Sequence, residues 1–413
     1  MAFIKPFRAL RPTAELAARV AALPYDVMNT AEARQMATGN QYSFLHISRP
    51  EIDLPEETDI HSELVYRQGQ ANLQKFIQGG VLVQDAVECY YVYRQKMGDL
   101  VQTGLVVCAG VDDYQDGIIK KHELTRADKE EDRVKHVDYL DANDEPVFYT
   151  YRNDPAISAL VEKVAAAEPC YDFVTADEVR HTFWIVADAD AIATFTARFA
   201  AIPNLYVADG HHRSAAASRV RDLRRKQNPA HTGQEEYNFF LTVIFPDNEM
   251  KIMPYNRVVK DLHRLSIAEF MARVGEKFEI TPLAAPLEPR MRHQFGMYLV
   301  GKWYELVARS GSFTNNDAVA SLDVSILQNN LLSPVLGVHN PRTDQRIHFV
   351  GGIRGTSELQ RLVDSGEYMV AFALFPTSLT ELMALADADK IMPPKSTWFE
   401  PKLRSGLFVH LLR

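Results

Sequence analysis

The sequence is poor in cysteine. Cys89, Cys108 and Cys170 are its only three, an odd number with neither a CxxC pair nor a Cys/His spacing of the zinc-binding kind. A disulfide scaffold is excluded, and a reducing compartment is expected. Cys108 lies in the apolar run 104–110, which reads as a buried strand and offers no exposed nucleophile. No apolar stretch approaches the ~18–20 residues that a membrane-spanning helix needs. The first dozen residues are broken by Lys5, Pro6, Arg8 and Arg11, so no signal peptide is expected and the chain is expected in the cytoplasm. Positive charge is not in excess: 45 Lys and Arg face 54 Asp and Glu, a net charge of -9. That balance argues against nucleic acid or a membrane surface as partner, and it leaves room for a local basic pocket. Also missing are the GxxxxGK[ST] and GxGxxG phosphate loops, the HExxH zinc motif and the GxSxG nucleophile elbow. No internal repeat or low-complexity stretch is present.

What is there describes a globular protein. Hydrophobic residues make up 46% and charged residues 24% of 413 positions, a length that suggests more than one core. Apolar and β-rich runs predict strands at 3–10, 42–48, 87–95, 102–111, 146–151, 181–187, 205–208 and 237–245. Helices are expected over 13–22, 30–38, 63–78, 126–141, 191–199 and 214–226, with Thr30, Thr125 and Asp190 as N-caps. A turn-rich passage after residue 245 suggests a boundary, giving an N-terminal region 1–245 and a C-terminal region 246–413. The second region is expected to hold helices near 266–278, 320–332 and 357–365 and strands near 296–306, 347–350 and 368–374. Ser378 and Glu381 form a capping box for one more helix. Strands and helices mix without a regular alternation, so the expected fold class is α+β, with mixed sheets and flanking helices.

Three groups of residues carry chemistry. In Tyr206-Val-Ala-Asp-Gly-His-His-Arg-Ser-Ala-Ala-Ala217 an apolar strand runs into a glycine loop and then into an alanine-rich helix. The first turn of such a helix offers free N–H groups and a partial positive charge, and His211, His212 and Arg213 stand beside it. That is an anion site, with phosphate its usual occupant. Asp209, at the strand end, is placed to hold Mg²⁺ or to accept a hydroxyl proton. In the second group Lys120, Lys121, His122 and Glu123 lead into a helix on which Arg126, Lys129, Arg133 and His136 fall on one face. One sign of charge gathered on one face suits an anionic ligand. The third group is the proline-stiffened stretch 392–406, where Lys395, Lys402 and Arg404 mix with Trp398 and Phe399, as in a loop that closes over phosphates. Asp209, His211, His212, His122 and Glu123 include zinc-ligand types, but no recognised ligand spacing joins them, so a tightly bound transition metal is not expected.

The segments Leu23-Pro-Tyr-Asp-Val27, Lys120-Lys-His-Glu-Leu-Thr-Arg126, Ala208-Asp-Gly-His-His-Arg213 and Met392-Pro-Pro-Lys-Ser-Thr-Trp-Phe399 resemble, in this order, the bacterial and archaeal family catalogued as domain of unknown function 1015. The Asp-Gly-His-His-Arg loop is in turn similar to that of the ParB/sulfiredoxin-like superfamily, which includes free-serine kinases. The resemblance implies a ParB/sulfiredoxin-like element around this loop, with His211, His212 and Arg213 on the donor phosphates and Asp209 at the reacting centre. It also implies a catalytic carboxylate, for which Glu123 is a candidate by chemistry and Asp26 by its N-terminal position.

The expected function is a phosphotransferase acting on the hydroxyl of a small metabolite, free L-serine first among them, with Mg²⁺ and pyrophosphate, ATP or ADP as donor. Asp209, His211, Glu123 and Asp26 are the expected catalytic residues, with Asp209 also the metal ligand. His212, Arg213, Lys120, Lys121, His122, Arg126, Arg133, Lys395, Lys402 and Arg404 are the expected phosphate ligands. A small-molecule phosphatase and a non-catalytic nucleotide-binding regulator are the alternatives. A homodimer stands open beside a monomer.

Overall fold

A computed structural model describes residues 1–314 and 316–413. Contacts divide the chain into two compact units, Met1–Met250 with Pro401–Arg413, and Lys251–Glu400. Residues 401–413, which the sequence reading groups with the second region, pair within the first. His410–Leu411 lies antiparallel to Ala142–Asn143, and Ser405 and Val409 bridge to Ala22 and Leu10.

The first unit is built on a nine-stranded mixed sheet. Its strands are β1 (Ile4–Lys5), β2 (Tyr90–Met97), β3 (Leu100–Gly110), β4 (Ile119–Lys120), β5 (Val147–Tyr151), β6 (Tyr171–Val174), β7 (Arg180–Val186), β8 (Leu205–Asp209) and β9 (Phe239–Pro246). They run in the order β4-β8-β5-β9-β3-β2-β7-β6, with β1 against β3. β4 is parallel to β8 and β5 to β9, while the other pairs are antiparallel. The strands β5 and β9 are buried at every residue, which is why they read as continuous apolar runs and not as alternation. Gly104 lets β3 approach β9, since a Cβ there would stand 2.9 Å from the Ile244 carbonyl oxygen.

Three helices bear on the candidate site: α1 (Glu63–Gln78), α2 (Ala127–Leu140) and α3 (His211–Gln227). The alanines of α3 explain its position. Ala215 and Ala217 pack into the sheet core, while Ala216 and Val220 meet Val134 and Val137 of α2. Small side chains on both faces keep the helix start close to the end of β8.

Several elements differ from the sequence reading. Residues 42–48 are not a strand: Leu45–Ser48 is a short helix whose Leu45 and Ile47 join Phe44 in a core that includes Leu73 and Phe76 of α1. A short apolar run has no period of its own, and packing decides its form. The expected helix 13–22 is reduced to Ala17–Val20, because Ala22 pairs with Ser405. The expected first strand is split into Ile4–Lys5 and Leu10–Pro12. Asn29, not Thr30, caps the helix Thr30–Ala37, in a capping box with Glu32, and Asp188, not Asp190, caps Ala189–Phe199. Thr125 does not cap α2; its hydroxyl binds Glu130 instead.

The second unit holds a six-stranded antiparallel sheet. Its strands are β10 (Tyr255–Val259), β11 (Phe278–Leu283), β12 (Gln294–Leu299), β13 (Lys302–Ala308), β14 (Ile347–Gly351) and β15 (Val370–Leu374), in the order β11-β13-β12-β15-β10-β14. Residues 296–306 are thus a hairpin and not one strand. The helix expected over 320–332 starts at Asp323 and ends in a π-helical turn, Gln328–Leu332. The capping box of Ser378 and Glu381 is present. The mixture of separate sheets and flanking helices makes the chain α+β. Among the described residues no helix is long and apolar enough to cross a membrane.

Candidate functional site

Adjacent parallel strands bring two of the sequence motifs together. β4 lies beside β8 in the register Leu205 to Ile119 and Tyr206 to Lys120. The segment 120–123 therefore leaves the sheet next to Asp209-Gly210-His211. Gly210 makes the sharp turn from strand to helix with φ +98°, and a Cβ there would press on Val147 at 3.1 Å and on Arg213 Nε at 3.2 Å. Having no side chain, Gly210 leaves the start of α3 without a side-chain cap. The first-turn N–H groups and the helix dipole thus remain available to an anion.

Asp209 is held between two cations. Lys402 Nζ donates to its Oδ2 at 2.9 Å, and Arg213 Nη2 stands 3.8 Å from its Oδ1. Burial works against the carboxylate charge, but Lys402 and Arg213 outweigh it and hold the group well below the usual carboxylate range. Lys402 is fixed in turn by a buried glutamine pair: Gln95 donates to the Lys402 carbonyl at 2.8 Å, and Gln102 donates to Gln95 at 2.9 Å.

Arg213 links Asp209 to the N-terminal motif. Its Nη2 is also 3.8 Å from Asp26 Oδ2, so the two carboxylates flank one guanidinium nitrogen. Its Nη1 donates to the Pro146 carbonyl. The turn Tyr25–Val27 that carries Asp26 is framed on several sides. The Tyr25 amide donates to Glu145 at 3.0 Å, Arg49 Nη1 donates to the Tyr25 carbonyl at 2.9 Å, and the Arg133 guanidinium lies 3.9 Å over the Tyr25 ring. Such framing fixes the backbone of Asp26 while leaving its side chain 38% exposed. Burial, with Asp144 adding like charge, pushes the Glu145 carboxyl up to about 7 against the pull of Arg213 and Arg133. Glu145 also accepts from the Ser405 hydroxyl at 2.9 Å.

The histidines divide into two kinds. His122 and His211 are buried, with rings edge to face at 4.4 Å. Burial outweighs the nearby Asp209 charge for both. It lowers His122 to about 4 and His211 well below its ordinary value, so both are neutral at pH 7. His122 faces the Val207 backbone without a hydrogen bond of normal geometry, and Nε2 of His211 has no partner. With Glu123 they form a cluster whose ligand atoms all lie within 4.8 Å of one another. His212 differs: its Nε2 accepts from the Arg126 amide at 3.1 Å, tying the loop before α2 to the start of α3.

The other sequence candidates are spread out. Lys121 lies 4.1 Å over the Tyr114 ring, and burial lowers its pKa. On α2 the expected basic face does not form one surface. Arg126 is exposed and paired with Asp128, Lys129 is exposed, whereas Arg133 and His136 are buried against Asp132 and Asp144. Arg404 turns to the β6–β7 hairpin, where it meets His181, Thr175 and Asp177. Lys395 belongs to the second unit, with its ammonium 5.5 Å over the Tyr255 ring and its carbonyl accepting from Arg257. Sequence reasoning passed over Glu145, Arg49 and the Gln95–Gln102 pair. A buried glutamate after Asp144 and two glutamines inside β strands were the signals for them.

The site therefore combines two carboxylates, a buried arginine, a lysine and an uncapped helix start, an arrangement that can hold phosphate and polarise a hydroxyl. None of the curated proteins matches the sequence. Among solved structures, a conserved hypothetical protein from Pyrococcus furiosus is similar at 14% identity and a TM-score of 0.36, covering 75% of this chain and 95% of that one. A free serine kinase in complex with AMP is similar at 14% identity and 0.36, covering 74% and 91%. SbnI with a C-terminal truncation, from Staphylococcus aureus, is similar at 11% identity and 0.38, covering 74% and 87%. The family described as protein of unknown function (DUF1015) matches residues 4–325, and the chain belongs to that family.

Proposed function

We propose that the protein is a phosphotransferase that moves a phosphoryl group to the hydroxyl of a small metabolite, with free L-serine as acceptor and a nucleotide or pyrophosphate as donor. The observation that carries this reading is the pair of carboxylates, Asp26 and Asp209, each 3.8 Å from the same Arg213 nitrogen beside the uncapped start of α3. Phosphoryl transfer asks mainly for positioning and charge neutralisation, and these groups supply both. The acceptor oxygen attacks the terminal phosphorus of the donor. The new O–P bond forms as the bond from that phosphorus to the leaving phosphate oxygen breaks, and the hydroxyl proton passes to a carboxylate.

Asp26 is assigned as the proton acceptor, because Asp209 is engaged by Lys402 and held in its charged form. Arg213, Lys402 and the first-turn amides of α3 would hold the donor phosphates, and His212 would keep the 121–126 loop beside them. Asp26 and Asp209 offer the hard oxygen ligands that Mg²⁺ takes, and both are partly exposed, so the residues fit that ion. When bound, Mg²⁺ would neutralise charge on the donor phosphates. The test is incubation of the full chain with L-serine, Mg²⁺ and, separately, ATP, ADP and pyrophosphate, with phosphoserine measured by mass spectrometry. Phosphoserine with one donor supports the reading. Its absence with every donor sinks it, phosphate release from phosphoserine alone indicates a hydrolase, and nucleotide binding without turnover indicates a regulator.

A further inference from the structure

We infer that His122, Glu123 and His211 form a binding site for a divalent transition-metal ion of the zinc or cobalt type, separate from the Mg²⁺ that the two aspartates fit. The three residues come from two segments held side by side. His122 and Glu123 follow β4, His211 opens α3 directly after β8, and β4 and β8 pair in parallel. The sheet register therefore presets the cluster, and its ligand atoms lie within 4.8 Å of one another. Tetrahedral ligands at ~2.1 Å from an ion stand about 3.4 Å apart, so small side-chain rotations close the set.

The second observation is the state of the imidazoles. His122 is 2% and His211 6% exposed, and both ring nitrogens of His122 and Nε2 of His211 lack a hydrogen bond of normal geometry. A buried polar atom left unpaired is costly, and such atoms are rare in native folds. A metal ion is one ligand that would pair one nitrogen of each ring at once. Two imidazoles and one carboxylate form a borderline donor set, which favours zinc, cobalt or iron over Mg²⁺. Three protein ligands also leave a coordination position open, as in catalytic rather than structural sites. His211 lies far in sequence from the adjacent His122 and Glu123, in a different motif, so no local spacing announces the site.

The test needs no substrate and does not depend on the phosphotransferase reading. The full chain is stripped with a chelator, dialysed, and titrated with Zn²⁺ and with Co²⁺. The expected result is one ion per chain, with visible cobalt d–d absorption. Glu123→Gln and His122→Asn should each weaken binding on the order of 100-fold while the circular dichroism stays that of the parent. Asp209→Asn should retain the ion. The absence of stoichiometric binding by the folded parent overturns the inference. So does unchanged affinity in Glu123→Gln, a substitution of the same shape at a half-buried position that takes away the carboxylate ligand.

Discussion

Replacing Lys402 with methionine keeps the length of the side chain and removes the charge that Asp209 faces. Lys402 is 10% exposed and Asp209 26%, with the ammonium 2.9 Å from the carboxylate. An exposed pair is worth about 0–1 kcal/mol, whereas stranding one member of a buried pair costs roughly 3–5 kcal/mol. Arg213 still stands 3.8 Å from Asp209 in the variant and the carboxylate keeps some solvent, so the cost should be intermediate. About 2 kcal/mol is expected at pH 7. The sign with pH follows from the depressed pKa of Asp209. A carboxylate held low in the folded state stabilises above its unfolded value, ~3.9, and loses that stabilisation as pH falls through its folded value. The gap between parent and variant should therefore be constant from pH 5 to 8 and shrink below about pH 4. Urea unfolding followed by circular dichroism measures it. A variant as stable as the parent at pH 7, or a gap that does not shrink in acid, would refute the electrostatic role given to Lys402.

Three further outcomes are expected. His122, lowered to about 4 by burial, is neutral in the fold; its contribution is complete above the unfolded value of ~6.5 and is lost as pH falls toward its folded value. A metal-free sample should lose roughly 3 kcal/mol over that window from this residue, read from urea midpoints, and a flat profile would contradict it. Gly210→Ala should cost about 1–3 kcal/mol, because φ is +98° and the new Cβ meets Val147 and Arg213; an unchanged Tm would count against the turn described. Asp26→Asn should lower the rate of phosphoserine formation about 10²–10⁴-fold, and full activity would remove Asp26 from the proposed chemistry.

Much of the architecture could be read from residue patterns because it follows from local physics. The helix 63–78 shows an amphipathic period ending at Gly79-Gly80, and it forms over that range. The buried strand 239–246 and the capping box of Ser378 are equally local. The site was legible in part. An apolar strand, Gly210 and an alanine-rich helix announce a strand-to-helix turn with an open N-terminus. What could not be read was convergence. Lys402 reaches Asp209 and Arg404 reaches Asp177, although the two lie two residues apart in one basic stretch. Helical spacing put Arg126, Lys129, Arg133 and His136 on one face, but burial of α2 against α1 and α3 divides that face into an inner and an outer part. Tyr42–Ser48 illustrates the remaining gap, since packing of Tyr42, Phe44, Leu45 and Ile47 into a tertiary core outweighs a weak β pattern.

In the proposed reaction the serine hydroxyl oxygen itself takes the phosphoryl group at the Asp26–Arg213–Asp209 centre. This is tested most directly with L-serine carrying ¹⁸O in its side chain, incubated with the full chain, Mg²⁺ and each donor. The expected product is phosphoserine that retains the ¹⁸O in its ester linkage, formed by the parent and strongly reduced in Asp26→Asn. No phosphoserine with any donor, or phosphoserine that has lost the label, would contradict the account.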